Sequence, residues 1–300
     1  MSKSDAELIA AIPALAGARS ISALPGGLTN RNLRVVCDSG EYVVRCSVSD
    51  TGLLGIDRDA EQVNTARAHE AGVGAAVCDY RPDLGALVIG FIPGVTLSDE
   101  SFRDTDVMER AATAVRRLHG GPRFEGDFDM FRRNAGYRSL IDKHGFALPN
   151  DYDDYSIQWR QVEAALASAP RASVPCNNDL LAGNYIDDGE QVWLIDYEYS
   201  GNNDACFELG NTATECEFTP ELTDAWTEAY FGSPTKADIA RVRLQTLVSA
   251  YGWSLWGFIQ AGSSAIDYDF TGWGQHRFDK AKAAFRSPGF DTLLEEVARG

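Results

Sequence analysis

The change of hydrophobic period at Pro93-Gly94 constrains this chain more than any other feature. Before it, apolar residues come in short β-branched runs. Ile21–Leu24, Asn32–Cys37, Glu41–Cys46, Ala75–Tyr80 and Ala86–Ile92 predict strands. Asp38-Ser39-Gly40 supplies hairpin chemistry, and Pro82-Asp83-Leu84-Gly85 turns a second strand pair. Between the pairs, Asp57–Glu70 is rich in Ala, Glu and Arg and predicts a helix. After the break, Val107–Leu118, Asp154–Ala167 and Ala237–Gln260 carry helical spacing. Short strands at Tyr185–Ile186 and Val192–Ile195 flank an Asp187-Asp188-Gly189 turn. The expectation is an α+β chain of two lobes. Residues 1–92 form a small β-rich lobe and 93–300 a larger, mainly helical one. A chain of 300 residues can bury such a core without a disulfide or metal staple.

Charge narrows the partners. Acidic residues outnumber basic ones by 44 to 27, a formal net charge of −17. Such a surface repels phosphate backbones and anionic lipid heads, so no nucleic-acid partner is expected. A small cationic substrate is attracted instead. No apolar stretch reaches the roughly 18 residues of a membrane helix, and the start lacks a signal-peptide core. The cysteines are scattered without a C-x-x-C pair, which argues against a zinc ribbon or a disulfide framework. We expect a reduced, cytoplasmic chain with no membrane insertion; a homodimer is compatible with these features.

The chemistry concentrates around the second hairpin. Asp179 and Asn184 lie five apart in a polar loop before it, and Asp196 ends the strand after it. A carboxylate, an amide oxygen and a second carboxylate converging there suit phosphoryl transfer from ATP. Asp179 would accept the proton of an attacking hydroxyl, while Asn184 and Asp196 would hold Mg²⁺, which prefers hard oxygen ligands. Asp, Asn and Gly are also what ordinary loops contain, so the spacing gains weight only from the strand and the second Asp. The first lobe would supply the nucleotide grip through Gly26, Gly27, Thr29 and Asn30, between two strands. Arg45 stands near the end of the third strand, and Glu61 on the next helix could pair with it. The bland alternative is a surface ion pair of about 0–1 kcal/mol. Late in the chain, Trp253, Trp256 and Gln260 share one helix face, with Tyr268, Phe270 and Trp273 following. Such a stripe is more often core than ligand box. Beside an acidic motif it can also bind a quaternary ammonium by cation–π contact, with Glu215 as counter-charge.

Together these segments resemble the choline/ethanolamine kinase family, within the protein-kinase-like small-molecule phosphotransferases that include aminoglycoside phosphotransferases. The resemblance is carried by Gly26-Gly27-Leu28-Thr29-Asn30, Tyr42-Val43-Val44-Arg45 and Asp57-Arg58-Asp59-Ala60-Glu61 in the first lobe. In the second it is carried by Asn178-Asp179-Leu180-Leu181-Ala182-Gly183-Asn184, Leu194-Ile195-Asp196-Tyr197-Glu198-Tyr199-Ser200, Phe207-Glu208-Leu209-Gly210-Asn211, Trp253-Ser254-Leu255-Trp256 and Gln275-His276-Arg277-Phe278-Asp279. It runs from about residue 20 to 285, nearly the whole chain.

The resemblance implies a bilobal protein-kinase-like fold and Mg²⁺-ATP phosphorylation of an amino-alcohol hydroxyl, choline first and ethanolamine next. It implies Asp179 as base and Asn184 and Asp196 as metal ligands. Arg45 and Glu61 become the phosphate-binding pair. Trp253, Trp256 and either Phe270 or Trp273 form the trimethylammonium pocket, with Glu215 on its rim. Aminoglycosides are the alternative acceptor. The family's usual H-N-D-L reads Asn177-Asn178-Asp179-Leu180 here, and Glu208 stands where Asp is commoner. The first departure keeps open a catalytically impaired choline-binding protein.

Overall fold

The computed structural model describes residues 4–25, 27, 30–47 and 52–300. Its N-terminal part is an antiparallel sheet of β1 (Ala18–Leu24), β2 (Asn30–Cys37), β3 (Gly40–Ser47), β4 (Val77–Arg81) and β5 (Ala86–Gly90), ordered β1-β2-β3-β5-β4. The β2–β3 hairpin pairs Cys37 with Gly40 and runs in unbroken register to Asn30 opposite Ser47. Leu33, Val35, Val44 and Val88 bury one face of the sheet. Leu8, Ile9, Ile12 and Leu15 cover it from the short helix α1 (Asp5–Ala10) and the turn after it. Nothing in the sequence reading anticipated that cover. Helix α2 (Arg58–Glu70) starts where expected because the Asp57 carboxylate accepts the orphan N–H groups of Asp59 and Ala60.

A small three-stranded sheet of β6 (Val95–Thr96), β8 (Tyr185–Asp187) and β9 (Val192–Leu194) joins the segment after Pro93-Gly94 to the later hairpin. A further pair, β7 (Val174–Cys176) with β10 (Gly201–Asn203), brackets the polar loops on either side of that hairpin. The remaining elements are helices: α3 (Thr105–His119), α4 (Met130–His144), α5 (Ser156–Ser168), α6 (Ala205–Glu215), α7 (Pro220–Phe231), α8 (Lys236–Ser263), α9 (Phe270–Phe285) and α10 (Phe290–Ala298). The α+β expectation, a β-sheet N-terminal region followed by a mainly helical part, therefore holds. No helix among the described residues is long and apolar enough to cross a membrane.

Helix α8 organises the helical part. It is buried on nearly every side from Ala237 to Gln260, the pattern of a core helix rather than a surface one. Its neighbours α4, α6, α9 and α10 pack around it. Close approach to α6 is made at Gly210, where an added Cβ would lie 2.6 Å from the Gln245 carbonyl carbon and 2.7 Å from the Thr246 nitrogen. Backbone atoms cannot turn aside as a side chain can. Gly210→Ala should therefore push α6 off α8 and cost about 1–3 kcal/mol, the usual toll of overpacking. Chemical denaturation would show this as a lower midpoint at unchanged slope; an unchanged midpoint would contradict the packing.

Candidate active site

A cavity of about 640 Å³ opens between the N-terminal sheet and the helical part. The sheet side contributes Leu24, Gly27, Val43, Arg45 and Ile89. Asp179, Asn184 and Asp196 come from the loops around the β8–β9 hairpin, and Tyr199, Glu215, Trp253, Trp256, Tyr268 and Trp273 from the segments beyond. Arg45, Asp179, Asn184, Asp196, Glu215 and the tryptophans at 253, 256 and 273 thus share one cavity.

The loop carrying Asp179 is held from beneath. The Glu208 carboxylate, wholly buried on α6, accepts the backbone N–H groups of Asn177 at 2.5 Å and Asn178 at 2.9 Å. Asn177, standing where the family reads His, donates through Nδ2 to the carbonyls of Ile195 (3.1 Å) and Asp196 (2.8 Å). Its Oδ1 accepts the Asp179 N–H at 3.1 Å. One amide thereby ties the Asp179 loop to the Asp196 segment. Asn178 adopts φ 67°, a left-handed conformation that Asn tolerates better than most residues. Its side chain donates to the carbonyls of Cys176, Tyr199 and Gly201. Asp179 points from this frame into the cavity, half-buried. Burial pushes its carboxyl well above the usual range; Glu215, Asp196 and Glu198 push the same way and Arg277 opposes them.

Asn184 is oriented by its own amide, whose Nδ2 donates to the Asp179 carbonyl at 2.8 Å. That leaves the amide oxygen as the atom available to a cation. The Ile195 N–H donates to the Asn184 carbonyl at 3.0 Å, fastening the neighbouring Asp196 beside it. Asp196 has φ 65°, and its carboxylate accepts from Arg45 at 2.6 Å. The donor set offered is an amide oxygen and carboxylate oxygens, which fits Mg²⁺.

The Arg45–Glu61 pair is buried, not superficial. Arg45 Nε lies 3.2 Å from Glu61, and the two side chains are 8% and 3% exposed. Burial opposes its charge, but Asp196, Glu61 and Glu198 more than offset this, so Arg45 stays firmly protonated. Arg58 bridges Glu61 at 2.6 Å and Glu198 at 3.3 Å.

Two expectations change on contact with the structure. Phe270 does not reach the cavity; it is 3% exposed and packs edge-on behind Trp256, with ring centroids 5.7 Å apart. Trp273 and Tyr268 line the cavity in its stead, because Phe270 begins α9 facing the core. Asn30 faces Glu198, to which its Nδ2 donates at 2.7 Å, while Gly27 lines the cavity. Gly26 and Thr29 lie outside the described residues. Glu198, Tyr199, Asn178 and Arg58 also shape the site, a role their sequence positions do not announce. All stand within the quoted motifs, but nothing in the spacing separates them from ordinary loop or core positions. Tyr199 accepts the Trp256 Nε1 proton at 2.8 Å and joins the aromatic end.

A family model described as choline/ethanolamine kinase matches residues 21–230. A crystal structure of a choline/ethanolamine kinase family protein from Mesorhizobium loti superposes with TM-score 0.86 at 33% identity, covering 97% of each chain. A probable ethanolamine kinase A from Dictyostelium discoideum is 28% identical over 87% of this chain and 84% of its own. The protein LicA of Haemophilus influenzae is 25% identical over 91% of this chain and 79% of its own.

The raised Asp179 pKa has a stability consequence whose sign is fixed. The folded state holds the Asp179 proton more tightly than the unfolded chain, so stability is lost as pH rises from the ordinary carboxylate value through the native one. Asp179→Asn mimics the neutral form. It should melt above wild type at pH 7.5, and the gain should shrink as the pH falls toward the ordinary Asp range. A variant less stable than wild type at neutral pH would contradict the burial of this charge.

Proposed function

This chain belongs to the choline/ethanolamine kinase family and is a phosphotransferase acting on an alcohol; on that footing we propose that it transfers the terminal phosphoryl group of ATP, with Mg²⁺, to the hydroxyl of choline. The observation that carries the reading is one cavity holding a partner-free carboxylate and a ring of aromatic faces. Among the described residues no hydrogen bond reaches the Asp179 carboxylate, and Trp253, Trp256, Tyr268 and Trp273 line the same space.

The residues divide the work. Asp179 orients the acceptor hydroxyl and takes its proton. The acceptor oxygen then forms a bond to the γ-phosphorus as the bond to the β–γ bridging oxygen breaks, and ADP leaves. Arg45 lines the same cavity, and its guanidinium suits phosphate oxygens. Asn184 and Asp196 would hold Mg²⁺. When bound, that ion neutralises charge on the transferring phosphate. The aromatic faces receive the trimethylammonium group, which has no N–H to donate and gains from π-faces. Glu61 and Glu198 keep Arg45 in place. Ethanolamine is the second reading, favoured by the ethanolamine-kinase name of the Dictyostelium relative.

Purified protein with Mg²⁺-ATP should convert choline to phosphocholine in preference to ethanolamine and an aminoglycoside, read by mass spectrometry. Asp179→Ala should lower kcat by roughly 10²–10⁴-fold, the usual worth of a general base, without loss of fold. Retained turnover in that variant would remove Asp179 from the role.

The aromatic reading has its own test. Trp273 is partly exposed and can be cut back at less cost to the core than Trp253, which is 3% exposed. Trp273→Ala should raise KM for choline by about 2- to 30-fold, the equivalent of one cation–π contact. The effect on ethanolamine should be smaller. Equal effects on both substrates would dissolve the argument for choline.

A further inference from the structure

We propose that Arg277 is a positioning residue that sets head-group selectivity: it grips Glu215 by both carboxylate oxygens and sits over the Trp273 ring, so that, Asp179 apart, the cavity offers aromatic faces instead of a free carboxylate. The inference rests on the amino-alcohol reading above and deepens it.

Glu215 is the last residue of α6 and lines the cavity. A carboxylate at a helix C-terminus faces the negative end of the helix dipole, so it needs a cation. Arg277, on α9, supplies one. Its Nε donates to Glu215 Oε1 at 3.1 Å and its terminal nitrogen donates to Oε2. The two side chains are 8% and 7% exposed. The guanidinium carbon also sits 3.4 Å from the Trp273 ring centroid. One planar cation thus fixes both the acid and an aromatic wall, a combination that a lysine could not reproduce.

The consequence is a matter of donors and acceptors. A primary ammonium brings three N–H donors and needs acceptors; a trimethylammonium brings none and needs faces. Asp196 and Glu198 are engaged by Arg45 and Arg58. At the aromatic end Glu215 is engaged by Arg277. Apart from Asp179, which the hydroxyl requires, these carboxylates are already paired with guanidinium groups. Arg277 is not among the residues that line the cavity; it acts through Glu215 and Trp273, and its charge also reaches Asp179.

The test measures kcat/KM for choline and ethanolamine in wild type, R277M, R277K, E215Q and the double variant R277M/E215Q. R277M should shift the choline-to-ethanolamine ratio toward ethanolamine by about tenfold, the size of one charge-assisted contact, mainly through KM. R277K should fall between R277M and wild type. E215Q should weaken both substrates together without moving the ratio. The double variant should return the ratio toward wild type, because the liberated acid is gone. Should R277M fail to fold, R277K and E215Q carry the same test. Equal loss on both substrates in R277M or R277K overturns the inference, as does a ratio that collapses in E215Q. Wild-type protein inactive on both amino alcohols overturns the functional reading and this inference with it. Wild-type turnover with a ratio that the Arg277 variants leave unmoved overturns this inference alone.

Discussion

A buried guanidinium at the centre of a charge cluster joins the two parts of this protein. Arg45 sits on β3, the middle strand of its sheet, and reaches Asp196 at 2.6 Å, Glu61 at 3.2 Å and Glu198 at 3.7 Å. Arg58 adds a second cation to the same cluster, and the Asn30 amide donates into it. A buried charge of this kind is tolerable only while paired; removing one partner typically costs about 3–5 kcal/mol because the other is left uncompensated. The cluster holds guanidinium groups from Arg45 and Arg58 against carboxylates from Glu61, Asp196 and Glu198, so acid remains in excess by one. That residual charge is what a divalent cation would neutralise. The contact that closes the sheet onto the helical part and the electrostatics of the candidate metal position are therefore one feature.

A second buried carboxylate does for the Asp179 loop what Arg45 does for the lobes. Glu208 accepts consecutive backbone N–H groups from Asn177 and Asn178, and His119 Nε2 approaches it to 3.7 Å. His119 in turn engages the Tyr230 hydroxyl at 2.7 Å. The loop's shape is thus set from α3, α6 and α7 together, away from the cavity. This explains how Asn can stand at 177 where the family reads His. The position demands a donor toward the Ile195 and Asp196 carbonyls and an acceptor for the Asp179 N–H. A neutral imidazole offers one of each. An amide offers two donors and an acceptor, and here all are used.

How much of this was legible in the sequence follows from which interactions are local. Strands β2, β3 and β5, helices α2, α3 and α8 and the β8–β9 hairpin were readable, since turn residues, caps and apolar periodicity announce them within a few positions. Helix α6 was not, because the reason for Gly210, the close approach of α8, lies far away in sequence. In α9, Gly274 meets Gly257 of α8 for the same reason. Helix α1 went unseen because its value lies in covering a sheet that follows it. At the site, spacing singles out Asp179, Asn184 and Asp196, which the structure brings to one cavity. The exclusion of Phe270 and the inclusion of Tyr268 depend on how α9 is rotated against α8. Glu198, Tyr199 and Arg277 matter through partners distant in sequence, and a pattern search has no purchase on such pairs.

Strain is concentrated where this network is densest. Three non-glycine residues, Asn178, Asp196 and Glu217, have positive φ among the described residues, and the first two flank the hairpin of the candidate site. Left-handed backbone at such residues costs on the order of 1–3 kcal/mol each and persists only where the surroundings over-determine it. Asn178 is over-determined by the three carbonyls that share its amide N–H groups and the hydrogen bond it accepts from Asn203. Asp196 is over-determined from both sides: the Asn177 amide takes its carbonyl and Arg45 takes its carboxylate. The bent backbone at 196 turns its side chain out of the β9 line toward the cavity, and a strand continuing straight would alternate faces instead. The same bonds that offset the strain therefore fix the direction of the acid, so orientation at this position is inherited from Asn177 and Arg45 before any ligand arrives.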